Sequence, residues 1–251
     1  MKDQYHTGIE RLTSSGLKIL LSKSPAHYYD EYMGKSTPPT KAMEFGIAAH
    51  ALILEGEEAF AKVAIVRPDE IDGRTKEGKQ FKKDAGGKIV LTESEVSEMF
   101  AFQAQMKESE YGSVIFSKRG EAEQVVEWRD AITAADCKCK PDWMAKDGRL
   151  IIDLKMMADA DPTNFKRSVY RYGYHLSAAM YIEGVAQHYG TEPDFVWAVC
   201  EKGSGKIAFY TPSAALLSDA HTQVGRGMGI YAKCKDKNNW PSYNNGVVVI
   251  G

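Results

Sequence analysis

At 251 residues the chain can bury one good core, and it is read as a single domain with room for a small helical subregion. A formal net charge of −2 gives no global attraction to nucleic acid, so any such binding must rest on a local basic surface. The four cysteines, Cys137, Cys139, Cys200 and Cys234, include no CxxC pair and fit neither a disulfide framework nor a zinc ribbon.

Reduced, buried thiols are the expectation, in a cytoplasmic protein. The polar stretch from Met1 to Glu10 shows no export signal, and no apolar run is long enough to span a bilayer.

Residues 1–62 read as helical. Thr13-Ser14-Ser15 can cap a helix carrying Leu17, Ile19, Leu20 and Leu21. Ser14 and Ser15 also lie where a helix N-terminus offers free amides and hydroxyls to an anion, with Arg11 one turn away; a plain N-cap explains the serines equally well. Pro25 suits the first turn of a second helix through Tyr28, Tyr29 and Tyr32. A third is predicted from about Lys41 to Leu54. Gly46 and His50 share one face of it, and the glycine would permit close backbone approach there. His50 can ligate a metal through one imidazole nitrogen, bind a phosphate, or sit as a satisfied core histidine.

Over 67–87 the composition shifts to charge and glycine, which reads as a mobile basic connection that orders on binding. Arg74, Lys76, Lys79, Lys82 and Lys83 would meet phosphates there and make binding salt-dependent, or else form a solvated face. A helix is expected from Thr92 to about Glu110. Strands are expected over 123–129, 131–134, 194–201 and 206–211, together with a hairpin around residues 137–153. Helices are expected near 162–170, 174–188 and 213–235. Helices flanking a small central mixed sheet make the fold class α/β or α+β, with the core over residues 120–235. In strand geometry Glu121, Glu123 and Glu127 share one face, from which one could reach a metal or line a solvated edge. Tyr174, Ser177, Ala178 and Tyr181 fall at i, i+3, i+4 and i+7, a helical stripe that can flank a phosphate backbone or serve ordinary packing.

Asp153-Leu154-Lys155, with Asp142 eleven positions earlier, carries the most chemistry. The same spacing of acid and lysine recurs at Glu77-Gly78-Lys79 and Asp136-Cys137-Lys138, so the tripeptide alone proves little. Its context separates it. Leu150-Ile151-Ile152 is an apolar run that leads into Asp153 as a buried strand. Cys137 to Asp142 alternates, and Ala145 to Arg149 supplies a polar turn, so a hairpin would bring Asp142 beside Asp153. Paired carboxylates hold a hard divalent cation through oxygen. Such an ion acidifies water and stabilises charge on a phosphate, while a lysine orients or deprotonates that water and offsets phosphoryl charge. Two surface carboxylates at strand ends remain the alternative.

Taken in order, these pieces resemble the PD-(D/E)XK nuclease superfamily, and more narrowly its RecE-type (exonuclease VIII-like) phage exonucleases. The resemblance rests on Ser14-Ser15-Gly16-Leu17-Lys18, Ser24-Pro25-Ala26-His27-Tyr28-Tyr29 and Phe45-Gly46-Ile47-Ala48-Ala49-His50. It continues through Arg74-Thr75-Lys76-Glu77-Gly78-Lys79, Ala122-Glu123-Gln124 and Lys140-Pro141-Asp142-Trp143. It ends on Ile152-Asp153-Leu154-Lys155 and the stretch from Gly173 to Tyr181.

The resemblance implies a Mg²⁺ site, with Mn²⁺ able to substitute, made by Asp142, Asp153 and the Leu154 carbonyl. His50 and Glu123 would complete it or act on substrate, and Lys155 would be the catalytic lysine. It also implies degradation of linear double-stranded DNA from its ends, 5′→3′, leaving 3′ single strands for an annealing partner, by a ring-shaped homo-oligomer. Arg11, Ser14, Ser15, Arg74, Lys76, Lys79, Tyr174 and Tyr181 are the expected substrate contacts. Two departures stand out: Met156 follows the lysine where relatives usually have threonine, and Ser177 stands where they usually have glutamine. A DNA-binding relative without turnover, an endonuclease and an iron–sulfur nuclease of the same superfamily are the rival readings. The last needs four cysteines around the nuclease core, and two of these lie in the hairpin strand.

Overall fold

A computed structural model describes residues 8–34, 38–117, 119–243, 246–247 and 249. Its centre is a mixed five-stranded sheet in the order β3 (Gly120–Ala122), β6 (Trp143–Ala145), β7 (Leu150–Met157), β8 (Asp194–Glu201), β9 (Ile207–Tyr210). β7 and β8 run parallel, with Ile152 opposite Val196 and Asp153 opposite Trp197; the other neighbours are antiparallel. Residues 195–200 of β8 are all buried, the pattern of a strand covered on both faces rather than one.

Alternation along these strands divides the interior in two. Ile151, Phe195, Trp197 and Val199 point into one core. Ile152, Leu154, Val196, Ala198 and Cys200 point into the other. The first core is closed by α1 (Ser14–Ser22), α2 (Pro25–Met33), α8 (Pro162–Arg171), α9 (Tyr174–Tyr189) and α10 (Ala214–Asp236), with the separate hairpin β4 (Val126–Arg129) and β5 (Asp136–Cys139). The second is closed by α3 (Lys41–His50), a π-helical turn over Ala51–Glu55, α4 (Glu57–Val63), α6 (Glu93–Glu108) and α7 (Glu110–Ile115), with a parallel pair, β1 (Ala64–Arg67) and β2 (Ile89–Thr92).

Parallel β7 and β8 require a crossover, which α8 and α9 supply. Asp161 caps α8 by accepting the Thr163 and Asn164 amides, and Pro162 occupies its first turn. The chain then turns through Gly173 at φ +64°. A side chain there would be strained, and its Cβ would also lie 2.8 Å from Lys18 Cδ, so glycine suits the start of α9 against α1.

Four expectations are corrected. The strand that pairs with β7 is Trp143–Ala145, whereas 137–139 pairs with β4 in another sheet; the expected turn holds, but Asp142 precedes the partner strand instead of ending it. Residues 131–134 form a turn in which Asp130 accepts the Thr133 amide and hydroxyl. Segment 67–87 is not a loose connection. It carries α5 (Lys76–Asp84), started by Thr75 accepting the Gly78 amide, between β1 and β2. Gly78 fits because a Cβ there would meet the Asp72 carbonyl at 2.3 Å. Finally, the close approach expected at Gly46 is not made: nothing among the described residues lies within 4 Å of a Cβ built there.

All four cysteines are free and buried. Burial raises the thiol pKa of Cys200 to about 12. Cys137 and Cys139 belong to the first core and Cys200 to the second, so the sheet separates them and they cannot share one cluster. No helix among the described residues is long and apolar enough to cross a membrane.

Candidate metal centre

The β6–β7 hairpin sets the centre of the site. With Trp143 paired to Ile152, Asp142 falls next to Asp153, and its Oδ2 accepts the Leu154 amide at 2.7 Å. That bond fixes one carboxylate against the strand that carries the other. Asp153 is 3% exposed and sits on the face of the first core. Lys155, two residues on and so on the same face, forms an ion pair with Asp153 and lies 3.9 Å from Asp142 Oδ2 and 3.3 Å from the Leu154 carbonyl.

His50 arrives from the opposite layer at the end of α3. Its Nε2 is 3.1 Å from the Leu154 carbonyl and its Nδ1 is 3.5 Å from Asp142 Oδ1. In the tautomer that donates Nε2–H to that carbonyl, Nδ1 keeps its lone pair toward Asp142, the arrangement a metal-binding imidazole uses. Both ring nitrogens thus face a polar partner, and the ring is half-buried at the edge of the acidic centre.

Glu123 lies in the link between β3 and β4 with φ +57°, a left-handed conformation that costs a non-glycine residue about 1 kcal/mol or more. Its amide donates to the Asp142 carbonyl at 3.2 Å, and its carboxylate pairs with Lys140. One donor atom each from His50, Glu123 and Asp142 lies within 4.8 Å of the others. Two carboxylates and an imidazole at that spacing fit a divalent cation. The Asp153 carboxylate is engaged by Lys155 instead of joining this trio, and the Leu154 carbonyl faces His50 and Lys155.

Burial raises the pKa of Asp142; the Asp153 charge adds to this, while His50 and Lys155 oppose it. The centre thus favours any added positive charge. For Lys155, burial works against the charged form, but Asp153 and Asp142 outweigh it and hold the ammonium above its usual pKa. Lys155 is therefore a cation at neutral pH in this arrangement.

Helices α1 and α9 form the rim. The Tyr174 ring lies 5.1 Å from Lys155 Nζ, Ser177 Oγ accepts from Lys18 Nζ at 3.0 Å, and Ser14 Oγ donates to Tyr181 Oη at 3.4 Å. Half-buried Lys18 was missed from sequence. Burial chiefly, and then the Lys155 charge, lower its pKa to about 8, with Asp153 opposing. Its position four after Ser14, on one face of α1, was the available signal. Lys140 and Glu55 were also missed. Glu55 ends the π-helical turn, and its pKa is raised by burial and by Glu123 and lowered by Lys140 and His50.

Other expected residues lie elsewhere. Glu121 pairs with Lys146 at 3.5 Å, and Glu127 with Arg11 at 3.1 Å, so only Glu123 of the three glutamates reaches the centre and Arg11 is held on β4. Thr13 caps α1, Ser14 is buried and Ser15 is exposed. Arg74 is bound to Asp72, while Lys76 and Lys79 are exposed on α5. Met156 packs at the edge of the second core.

A family described as "PDDEXK-like domain of unknown function (DUF3799)" matches residues 13–249. Among solved structures, a crystal structure named "Putative exonuclease" from Eubacterium rectale superposes with a TM-score of 0.67 at 19% identity, covering 100% of this chain and 95% of that one. A second, SSO0001, has a TM-score of 0.38 at 9% identity, covering 91% of this chain and 77% of that one. No curated protein sequence matches the chain.

Proposed function

The chain belongs to the PDDEXK-like DUF3799 family, and from that premise we propose that it is a metal-dependent DNA nuclease of the RecE type. Its reaction would be phosphodiester hydrolysis at the ends of linear duplex DNA, running 5′→3′ and leaving 3′ single strands for a strand-annealing partner. The observation that carries this reading is buried Asp142 and Asp153 with half-buried Lys155 along one hairpin, met by His50 and Glu123 from two other elements. Ion pairs of this density on a core strand are costly in desolvation, and such clusters concentrate at functional sites.

Asp142, His50 and Glu123 would hold the divalent ion, with Asp153 and the Leu154 carbonyl beside them; Mg²⁺ is the proposed ion and Mn²⁺ a substitute. When bound, such an ion supplies charge stabilisation at the phosphate and acidifies water. The residues do the rest. Lys155, kept protonated by two carboxylates, offsets charge on the phosphoryl oxygens and orients water by donating to it. Asp142, fixed by the Leu154 amide, keeps the geometry rigid. Lys18 extends the positive charge toward α9 and would meet a neighbouring phosphate. Assembly as a ring-shaped homo-oligomer belongs to the same reading, and light scattering of purified protein tests it.

The test is digestion of duplex DNA labelled separately at its 5′ and 3′ termini, beside covalently closed circles, with and without Mg²⁺. The reading expects Mg²⁺-dependent loss of the 5′ label first and intact circles. Cut circles would make the protein an endonuclease. Binding without cleavage under every condition would make it a DNA-binding relative that has lost turnover.

A further inference from the structure

The turn between α8 and α9 carries a feature that the nuclease chemistry leaves unused. A ladder of rings runs outward from the sheet. Trp197 on β8 meets Phe165 at 5.6 Å between centroids, Phe165 meets Tyr174 at 6.3 Å, and Tyr174 meets Tyr172 at 5.6 Å with 31° between planes. Trp197 and Phe165 are buried, whereas Tyr172 is 48% exposed. The ladder therefore ends in a ring held from below and open to solvent.

Packing alone does not account for its position. Tyr174, the rung beneath, is the ring lying 5.1 Å from Lys155 Nζ, so only one ring separates the exposed end from the candidate catalytic lysine. A cation lies beside the exposed ring. From Pro162 to Gly173 the chain has Lys166, Arg167 and Arg171 and no carboxylate, and the Arg171 guanidinium lies 5.5 Å from the Tyr172 centroid. An aromatic face beside a guanidinium group, next to a phosphate-handling centre, has the composition of a surface that stacks a nucleobase while its backbone is neutralised.

We propose that Tyr172 is a stacking platform for a nucleobase of the strand entering the site, with Arg171 set against the adjoining phosphate. The occupant we assign is an unpaired base, because an interior base of a paired, stacked duplex offers no face and a terminal pair offers only its outer one. Occupation of Tyr172 by that unpaired base would stabilise a frayed terminus. Stacking is tolerant of sequence, so the platform would position the strand without reading it. The inference rests on the nuclease reading above and assigns that site its grip on the terminal base.

The experiment uses the full chain in Ca²⁺, which permits binding with little turnover, and duplexes with a frayed end carrying 2-aminopurine at successive terminal positions. Wild type should quench the fluorescence at one position. Tyr172→Ala should lose that quenching and bind the frayed end about tenfold or more weakly. Tyr172→Trp, which keeps an aromatic face, should restore both. Undiminished quenching and affinity in Tyr172→Ala, with DNA still cleaved, overturns the platform alone. Failure of wild type to bind any of these DNAs overturns the nuclease reading and the platform with it.

Discussion

Lys155 and the lysines of α5 are the same residue type in opposite circumstances. Lys155 lies on a central strand between two buried carboxylates, with an aromatic ring beside it. Lys76, Lys79, Lys82 and Lys83 project into solvent from a helix whose only buried residue is a glycine. Burial makes the difference. In the strand, removal from water is offset only by charge of the opposite sign at close range, so position and protonation state are fixed together. On the helix, water and salt screen each charge, and only the sum of several can matter. The first environment suits chemistry at one phosphate; the second suits weak attraction to many.

The largest effect should follow from Asp142, which holds the strand geometry and, in the proposed function, is also a metal ligand. Asp142→Ala should bring cleavage below detection while circular dichroism stays close to wild type. Residual turnover within tenfold of wild type would move the centre elsewhere. Lys155→Met keeps the stem and loses the charge, and a rate loss of about 10²-fold or more is expected in single-turnover digestion.

Lys18 stands between the two circumstances, half-buried and hydrogen-bonded to Ser177. Lys18→Met should weaken kcat/KM by about tenfold, as loss of a charged hydrogen-bond donor does. The pH profile sharpens this. With its pKa lowered to about 8, Lys18 in the free enzyme loses its charge as pH rises through that value, and kcat/KM of wild type should fall there. The Lys18→Met profile should lack that limb. The sign for stability is the reverse: between about 8 and the usual 10.5 the unfolded chain binds the extra proton, so this lysine's contribution to stability improves as pH rises.

Charge reversal of Lys76, Lys79 and Lys82 together should leave single-turnover cleavage of saturated DNA intact. It should flatten the dependence of log affinity on log salt by roughly one unit for each phosphate no longer neutralised. An unaltered slope would make α5 a solvated face only. The smallest effect belongs to Gly78→Ala, which pushes a methyl against the Asp72 carbonyl and should cost about 1–3 kcal/mol of stability, read as a lowered melting temperature. No change there would mean that α5 is not packed as described.

The same contrast explains what was legible in the sequence. Ile151 and Ile152 followed by Asp153 and Lys155 declare a buried strand bearing charge, and the polar turn before them declares a hairpin. The partner strand was misjudged because 137–140 alternates more clearly than the three residues of Trp143–Ala145, which are all buried. The β1–α5–β2 unit escaped notice because each strand has four residues and the helix between them lacks an apolar stripe. Glu123 looked like a strand residue, and nothing local signals its left-handed backbone. The burial of Lys18 comes from α9, more than 150 positions later, so its chemistry could not be read from α1 alone.

The most direct measurement is a calorimetric titration of Mn²⁺ into wild type, Asp142→Ala and the Lys76, Lys79, Lys82 reversal variant, without DNA. Binding heat should be present in wild type, lost in Asp142→Ala and unchanged in the α5 variant. Equal Mn²⁺ binding by wild type and Asp142→Ala would contradict a metal centre built on the β6–β7 hairpin.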